Sequence, residues 1–361
     1  MEWHKKTIYQ PWYGSNTMDS SHNLDPEFFA QRHRGGVLLE RYGIDLFLHP
    51  YLGFSLAPRH RSGVINTDDE GFRLSDSPFG VVDSATWLSN GGGGILLGNS
   101  VTVGLAASSD RGTIASHLAF LTGRRQLNLG VCAANSHQEL IAAVPFLHAA
   151  STVVIIGGGP DFGNMLGART PHAAFGPVSY ERTFAQLAQI PLFELAGLAS
   201  GKSQATEVRT GRRSRRAGTK SNPDPLPRVE IAARRRLRDL AFLARAVGDR
   251  TQILLCLQPF ATPRTRDVTA EERAHYDFDA PVFGIFHNAC EEYWGTYADL
   301  LAGGCADIGV SFLNLAADQF AGYTFADNLH LNDEGNRQAA QMIHRALEGV
   351  PAAAASAPHS R

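Results

Sequence analysis

The sequence is poor in cysteine, and the four it has form no Cys-x-x-Cys pair and no tight cluster with histidine. That removes the usual zinc spacings and the disulfide-stapled secreted scaffolds. Cys132 and Cys256 lie inside apolar runs, where a buried free thiol is the expected state; Cys290 and Cys305 add no pattern to them. No apolar run reaches the length of a membrane span. The start, MEWHKKTIYQPWYGS, lacks the apolar centre of a secretory signal. With no other address visible, a reducing cytoplasm is the expected compartment. Nor is there a strong charge of one sign: the net charge is −2, so nothing draws the whole chain to nucleic acid or to a membrane surface.

One glycine-rich stretch invites a phosphate reading and lacks what that reading needs. GGGGILLGNSVTVG (91–104) has no lysine, which a Walker loop uses to meet phosphate charge. Its four leading glycines precede the apolar run, whereas a dinucleotide fingerprint places Gly-x-Gly-x-x-Gly after the strand. The glycines at 91–94 read as a loop leading into a strand.

What is present is a long alternation. Hydrophobic residues make up 43% of the 361 and charged residues 19%, which suits one large α/β domain with additions, or two domains. Short runs rich in β-branched residues at 94–98, 126–131, 152–158, 251–258 and 310–315 predict strands buried on both faces. Helical spacing lies between and after them, at 113–123 with a closing glycine, at 136–150, at 228–248 and at 333–349. In 136–150, Ser136 and Glu139 read as a capping box, and Pro145 as a kink. Strand alternating with helix predicts a parallel sheet covered on both faces, with its chemistry at the carboxyl ends of the strands.

Residues 1–85 read as an N-terminal extension packed on a main domain at 86–350, and 351–361 as a disordered tail. Residues 199–227 have almost no large apolar side chains and carry Arg209, Arg212, Arg213, Arg215 and Arg216. That composition cannot bury a core and predicts a mobile basic insertion within the main domain.

Ser100 comes directly after strand 94–98, at the end where a parallel sheet hosts its site. Gly98 can take the tight turn, and a helix starting near Val101 would put the Ser100 amide at a helix N-terminus, which favours negative charge. A serine there could equally serve only as a helix cap. A hydroxyl nucleophile needs a base and a group to orient it. FADNLHLNDEGN (325–336) offers both: Asp327, three residues before His330, can accept the Nδ1 proton and leave Nε2 for the serine. Asp333 and Glu334 follow in what reads as the first turn of the last helix, where acidic side chains suit the dipole. Asp161 is expected to tie down its own loop, His137 to sit in a first helical turn, and His275 and His287 to pack within an aromatic segment.

With these residues in view, the chain resembles the SGNH (GDSL-type) hydrolases over about residues 94–348. LLGNSVTVG is similar to the first block, with Asn99 in place of the usual aspartate before the serine. LNLGVCAANSHQEL (127–140) is similar to the second, with Ala133 where an oxyanion-hole glycine stands, and DNLHLNDEG to the last. HPYLGF and INTDDEGFR, within 49–73, resemble the leading segment of longer bacterial members. In the third block, GGGPDFGN, Pro160 stands where the family has an oxyanion-hole asparagine, and Asn164 lies four residues on.

The resemblance implies a three-layer α/β/α fold with a parallel, flavodoxin-like five-stranded sheet. It also implies a triad of Ser100, His330 and Asp327, and oxyanion donors at Ser100 and Ala133, with Asn164 a candidate third. No metal or cofactor is implied. The expected activity is hydrolysis of O-acyl esters of carbohydrates, lipids or secondary metabolites. Two further readings stay open: an acyltransferase using the same triad, and a binding protein that keeps the fold without its chemistry.

Overall fold

The computed structural model describes residues 46–167, 175–178, 225–262 and 265–349, without the side chains of 48, 275 and 278–287. The first 35 residues, the basic run at 209–216 and the 351–361 tail lie outside the described residues, as do the side chains of His275 and His287.

Two antiparallel hairpins come first, β1 (Leu46–His49) with β2 (Gly53–Leu56) and β3 (Ser75–Ser77) with β4 (Gly80–Val82). A short helix α1 (Ser84–Ser89) leads into the main sheet. That sheet is built from β5 (Gly93–Gly98), β6 (Gln126–Gly130), β7 (Ala150–Gly157), β8 (Gln252–Leu257) and β9 (Ser311–Asn314). All four pairings are parallel and the order is β6-β5-β7-β8-β9. Relabelled within the sheet this is 2-1-3-4-5, the flavodoxin-like order, whose direction of winding reverses at β5.

The central apolar runs fold as strands because they must bury both faces, and alternate residues do so; β9, at the sheet edge, is only half-buried where burial on both faces was expected. Ile95, Leu97, Val153, Ile155, Leu255 and Leu257 belong to one core cluster. Leu96, Val154, Ile156, Leu254 and Cys256 belong to the other. The first core is closed by α4 (Ser136–Ala143), α6 (Leu226–Val247) and α7 (Ala270–Ile308). The second is closed by α3 (Ile114–Thr122) and α8 (Asp333–Gly349). Two short helices, α2 (Ser100–Val103) and α5 (Gly159–Gly167), open directly from the ends of β5 and β7.

Local chemistry departs from the sequence expectation in three places. The box that opens α4 is made by Asn135 and Gln138, one residue ahead of Ser136 and Glu139. That helix stops at Ala143, with Val144 as its cap, so Pro145 ends the helix and does not kink it. The long helix expected at 228–248 begins at Leu226, two residues inside the stretch read as insertion, because Pro225 and Pro227 sit where the first turn needs no N–H.

Residues before the sheet contribute to its cores. Leu52, Phe72 and Val82 join Trp87 in the first cluster, and Leu56 and Ile65 pack with Val103 and Cys132. Arg73 is buried: Nε donates to Asp110 Oδ1 at 2.8 Å, Nη1 to the Gly104 carbonyl at 2.5 Å and Nη2 to the Val64 carbonyl at 2.7 Å. The early segment therefore grips the loop that follows α2, the helix bearing Ser100.

Candidate active site

At the end of β5 the backbone turns at Gly98, φ 150°. A side chain there would run into the Ile156 carbonyl and Thr102 Oγ1, each 2.1 Å from the position of its Cβ. Only glycine lets the strand end this close to β7. Asn99 follows as the true helix cap: its Oδ1 accepts the Val101 N–H at 3.0 Å. Ser100 is thereby released from capping and stands at the first helical position. Helix geometry gives its amide no intrahelical partner there.

Asp327 and His330 sit on a loop pinned from several sides. The Ala326 N–H donates to the His330 carbonyl at 2.8 Å, and Phe325 bridges Leu331. Glu272, fully buried in the first turn of α7, accepts the amides of Thr324 and Phe325 at 3.0 and 3.1 Å. Asn328 Nδ2 donates to the Ala261 carbonyl at 2.7 Å, and the Ala261 N–H returns to the Asn328 carbonyl at 2.9 Å. Asp333 accepts the Ser108 N–H at 2.7 Å and also the Ser108 hydroxyl. Asp333 thus does more than suit the dipole of α8: it staples the chain after Ser100 to the chain after His330.

The result is a continuous chain of hydrogen bonds. Asp327 Oδ1 accepts the amides of Leu329 and His330 at 2.8 and 2.7 Å. Its Oδ2 lies 2.7 Å from His330 Nδ1, and His330 Nε2 lies 2.8 Å from Ser100 Oγ. An ionised carboxylate can only accept, so Nδ1 carries the proton and Nε2 is the acceptor facing the serine. Burial pushes the Asp327 pKa up, but the His330 ring beside it and the two amides outweigh this and hold it far below the usual carboxylate range. The His330 and Asp327 side chains are 21% and 22% exposed and Ser100 is half-buried, so solvent reaches the chain of bonds. Such an arrangement can draw a proton from Ser100 as its oxygen attacks a carbonyl.

The other sequence-predicted residues fall as follows. Ala133 has φ 56°, the left-handed region that favours glycine, within a turn closed by the Ala134 N–H on the Val131 carbonyl at 3.1 Å. The Val131 N–H donates to the Gly98 carbonyl at 3.0 Å, which holds this turn against the serine turn. Ala133 thus holds a backbone conformation that glycine adopts more readily. Pro160 lies in the first turn of α5. Asn164 is buried one turn beyond it, about 6 Å further from the strand end along the helix axis. Asp161 does not tie down its own loop: its Oδ1 accepts the Ser136 N–H at 3.0 Å and its Oδ2 accepts Arg236 Nη2 at 2.7 Å. His137 is in the first turn of α4, its ring 5.3 Å from that of Phe175.

Two side chains of this region escaped the sequence reading. Gln258 follows β8, and its Oε1 accepts both Asn99 Nδ2 at 2.5 Å and the Gly159 N–H at 3.1 Å. Its signal was a polar residue at the carboxyl end of a buried apolar strand. Arg236 is buried and binds Glu139 Oε1 at 2.9 Å as well as Asp161. Its signal was its spacing from Val229, Ala232, Ala233, Leu240 and Leu243, which puts it on the apolar stripe of α6.

The Gln258 contact explains Asn99. An aspartate could still cap Val101, but its second oxygen would face Gln258 Oε1 in a buried site. Asn99→Asp, which restores the residue usual in the resembling family, is therefore expected to destabilise the fold by about 1–3 kcal/mol and to lower activity. Urea denaturation and ester assays of the variant check this; a variant as stable and active as wild type contradicts it.

Among the described residues no group of three His, Cys, Asp or Glu side chains is placed to hold a metal ion, and no helix is long and apolar enough to cross a membrane. No protein-family model and no curated protein matches the chain. Among solved structures it is similar to Est24, a carbohydrate acetylesterase from Sinorhizobium meliloti, at 13% identity and TM-score 0.40, covering 71% of this chain and 98% of that one. It is also similar to a structure described as a lipolytic protein of the G-D-S-L family from Desulfitobacterium hafniense, at 9% identity and TM-score 0.38, covering 70% and 98%. At such identities the side chains of this chain, and not the likeness, have to carry its chemistry.

Proposed function

We propose that this protein is a serine ester hydrolase of SGNH type. The observation that carries the reading is the unbroken path from Asp327 Oδ2 through His330 to Ser100 Oγ, with both contacts under 3 Å. Ser100 Oγ attacks the ester carbonyl while His330 Nε2 takes its proton. Asp327 holds the imidazole tautomer and stabilises the imidazolium. The tetrahedral oxyanion is met by the amides of Ser100 and Ala133, with Asn164 a third candidate. His330 then gives its proton to the departing alcohol oxygen, leaving an acyl-serine. A water molecule, deprotonated by the same histidine, attacks the acyl carbon and releases the acid and free Ser100. The substrate class proposed is an O-acyl ester of a carbohydrate, lipid or secondary metabolite.

A panel of short p-nitrophenyl and sugar acetyl esters, run on wild type and Ser100→Ala, tests this. Turnover by wild type alone is the expected result. Equal rates for the two proteins refute it.

A further inference from the structure

Pro160 has neither a side-chain amide nor an N–H, so the third block cannot serve the oxyanion as the resembling family does. We propose that Gln258 serves instead: from the end of β8 its Nε2 donates a hydrogen bond to the oxyanion that forms at Ser100. This rests on the ester-hydrolase reading and adds a catalytic residue to it.

The side chain starts one strand beyond the third block. The Gln258 N–H donates to the Gly157 carbonyl at 3.0 Å, so the chain still runs beside β7 at this point. From there the side chain crosses the end of β7 and reaches Asn99, the residue before Ser100. It passes over Gly159, where a Cβ would lie 2.7 Å from both Nε2 and Oε1. The absence of a side chain at 159 is what makes room for the crossing. The amide of Gln258 thus occupies the ground between the serine turn and the third block, beside β5, where the winding of the sheet reverses.

Its orientation is set by its neighbours. The Val101 N–H needs Asn99 Oδ1, so Asn99 presents Nδ2 to Gln258. The Gly159 N–H is a second donor aimed at the same atom. Two donors fix that atom as oxygen, and the planar amide then fixes Nε2. Among the described residues Nε2 donates to no protein group. Gln258 is 2% exposed, and its Nε2 is not sealed from solvent, so the amide is held in place with one donor still reachable. A preorganised donor of this kind is what a developing alkoxide requires.

Two variants separate donating from positioning. Gln258→Glu keeps an oxygen that accepts from Asn99 and Gly159 but replaces the donor. Gln258→Met keeps the bulk and removes both functions. Both are expected to lower kcat about 100- to 1000-fold with KM within about threefold, the loss typical of one oxyanion donor. Affinity for an arylboronic acid, which adds Ser100 Oγ to form a tetrahedral anion, should fall by the same factor. Circular dichroism at the assay temperature should show Gln258→Glu folded like wild type, even where the buried carboxyl lowers its melting point. The proposal is overturned if Gln258→Glu keeps kcat within threefold, whether or not Gln258→Met loses it, or if only KM moves. If Ser100→Ala itself hydrolyses esters at the wild-type rate, the ester-hydrolase reading fails instead, whatever Gln258 does.

Discussion

Ester turnover by Ser100→Ala should fall by roughly 10⁴- to 10⁶-fold, and His330→Ala should fall as far. The two side chains act as one unit, Nε2 accepting from Oγ at 2.8 Å, so the double variant should be no slower than either single one. Asp327→Asn is the more discriminating change. Its Oδ1 can keep the amides of Leu329 and His330, so the loop stays folded. Its NH₂ then faces Nδ1 and forces the other imidazole tautomer. Nε2 now carries a proton toward Ser100 and cannot accept one. A loss of about 10⁴-fold in kcat with little change in melting is the expected signature. Steady-state kinetics and thermal denaturation on the same preparations check it.

The pH behaviour has a definite sign. Because the Asp327 pKa is depressed, its ionised form stabilises the fold above the ordinary carboxylate range, and that contribution is lost only as pH falls through its lowered value. Asp327 therefore stays charged at neutral pH. Under the proposed hydrolysis, the acid limb of the rate profile should report proton uptake at His330 Nε2 and fit a single proton.

The second large effect concerns stability. Arg236 lies between Glu139 and Asp161 with all three buried, and Ser136 joins them by donating its N–H to Asp161 at 3.0 Å and its hydroxyl to the neighbouring Asp239 at 2.7 Å. Arg236→Met leaves two buried carboxylates without their counter-charge and should cost about 3–5 kcal/mol, read by urea denaturation. This cluster ties α6 to the starts of α4 and α5, the two turns that flank the serine, so activity should fall with the fold. Burial dominates Glu139 and, despite Arg236, raises its pKa to about 7. A raised carboxyl stabilises the fold at low pH and loses that contribution as pH rises from about 4.5 to about 7. Removing Arg236 pushes the group further up. The deficit of Arg236→Met should therefore be greatest in alkali and shrink on acidification, and Glu139→Gln in the same chain should restore part of it. A deficit independent of pH would contradict this.

The β5, β7 and β8 runs were legible because a strand buried on both faces must be apolar throughout. Ser100, Asp327 and His330 could be picked out as candidates because nucleophilic chemistry needs those types at strand ends and helix starts. The structure brings Ser100, Asp327 and His330 into hydrogen-bond distance across more than two hundred residues of sequence. Other contacts could not be read because they depend on where strands lie in space. Asp161 looked local and bonds to Ser136 and Arg236, since β7 and β8 surround a crossing that sequence order hides. Gln258 reaches Asn99 only because β7 lies between β8 and β5 and Gly159, just beyond the end of β7, carries no side chain. The φ of Ala133 gave no sign in an alanine, whereas a glycine would have advertised it.

The most direct test of the account is covalent. Wild-type protein treated with a fluorophosphonate and digested should yield one modified peptide, with the adduct on Ser100, and His330→Ala should label far more slowly. Labelling at another residue, or equal labelling of wild type and His330→Ala, would contradict the central claim that His330 activates Ser100 as a nucleophile.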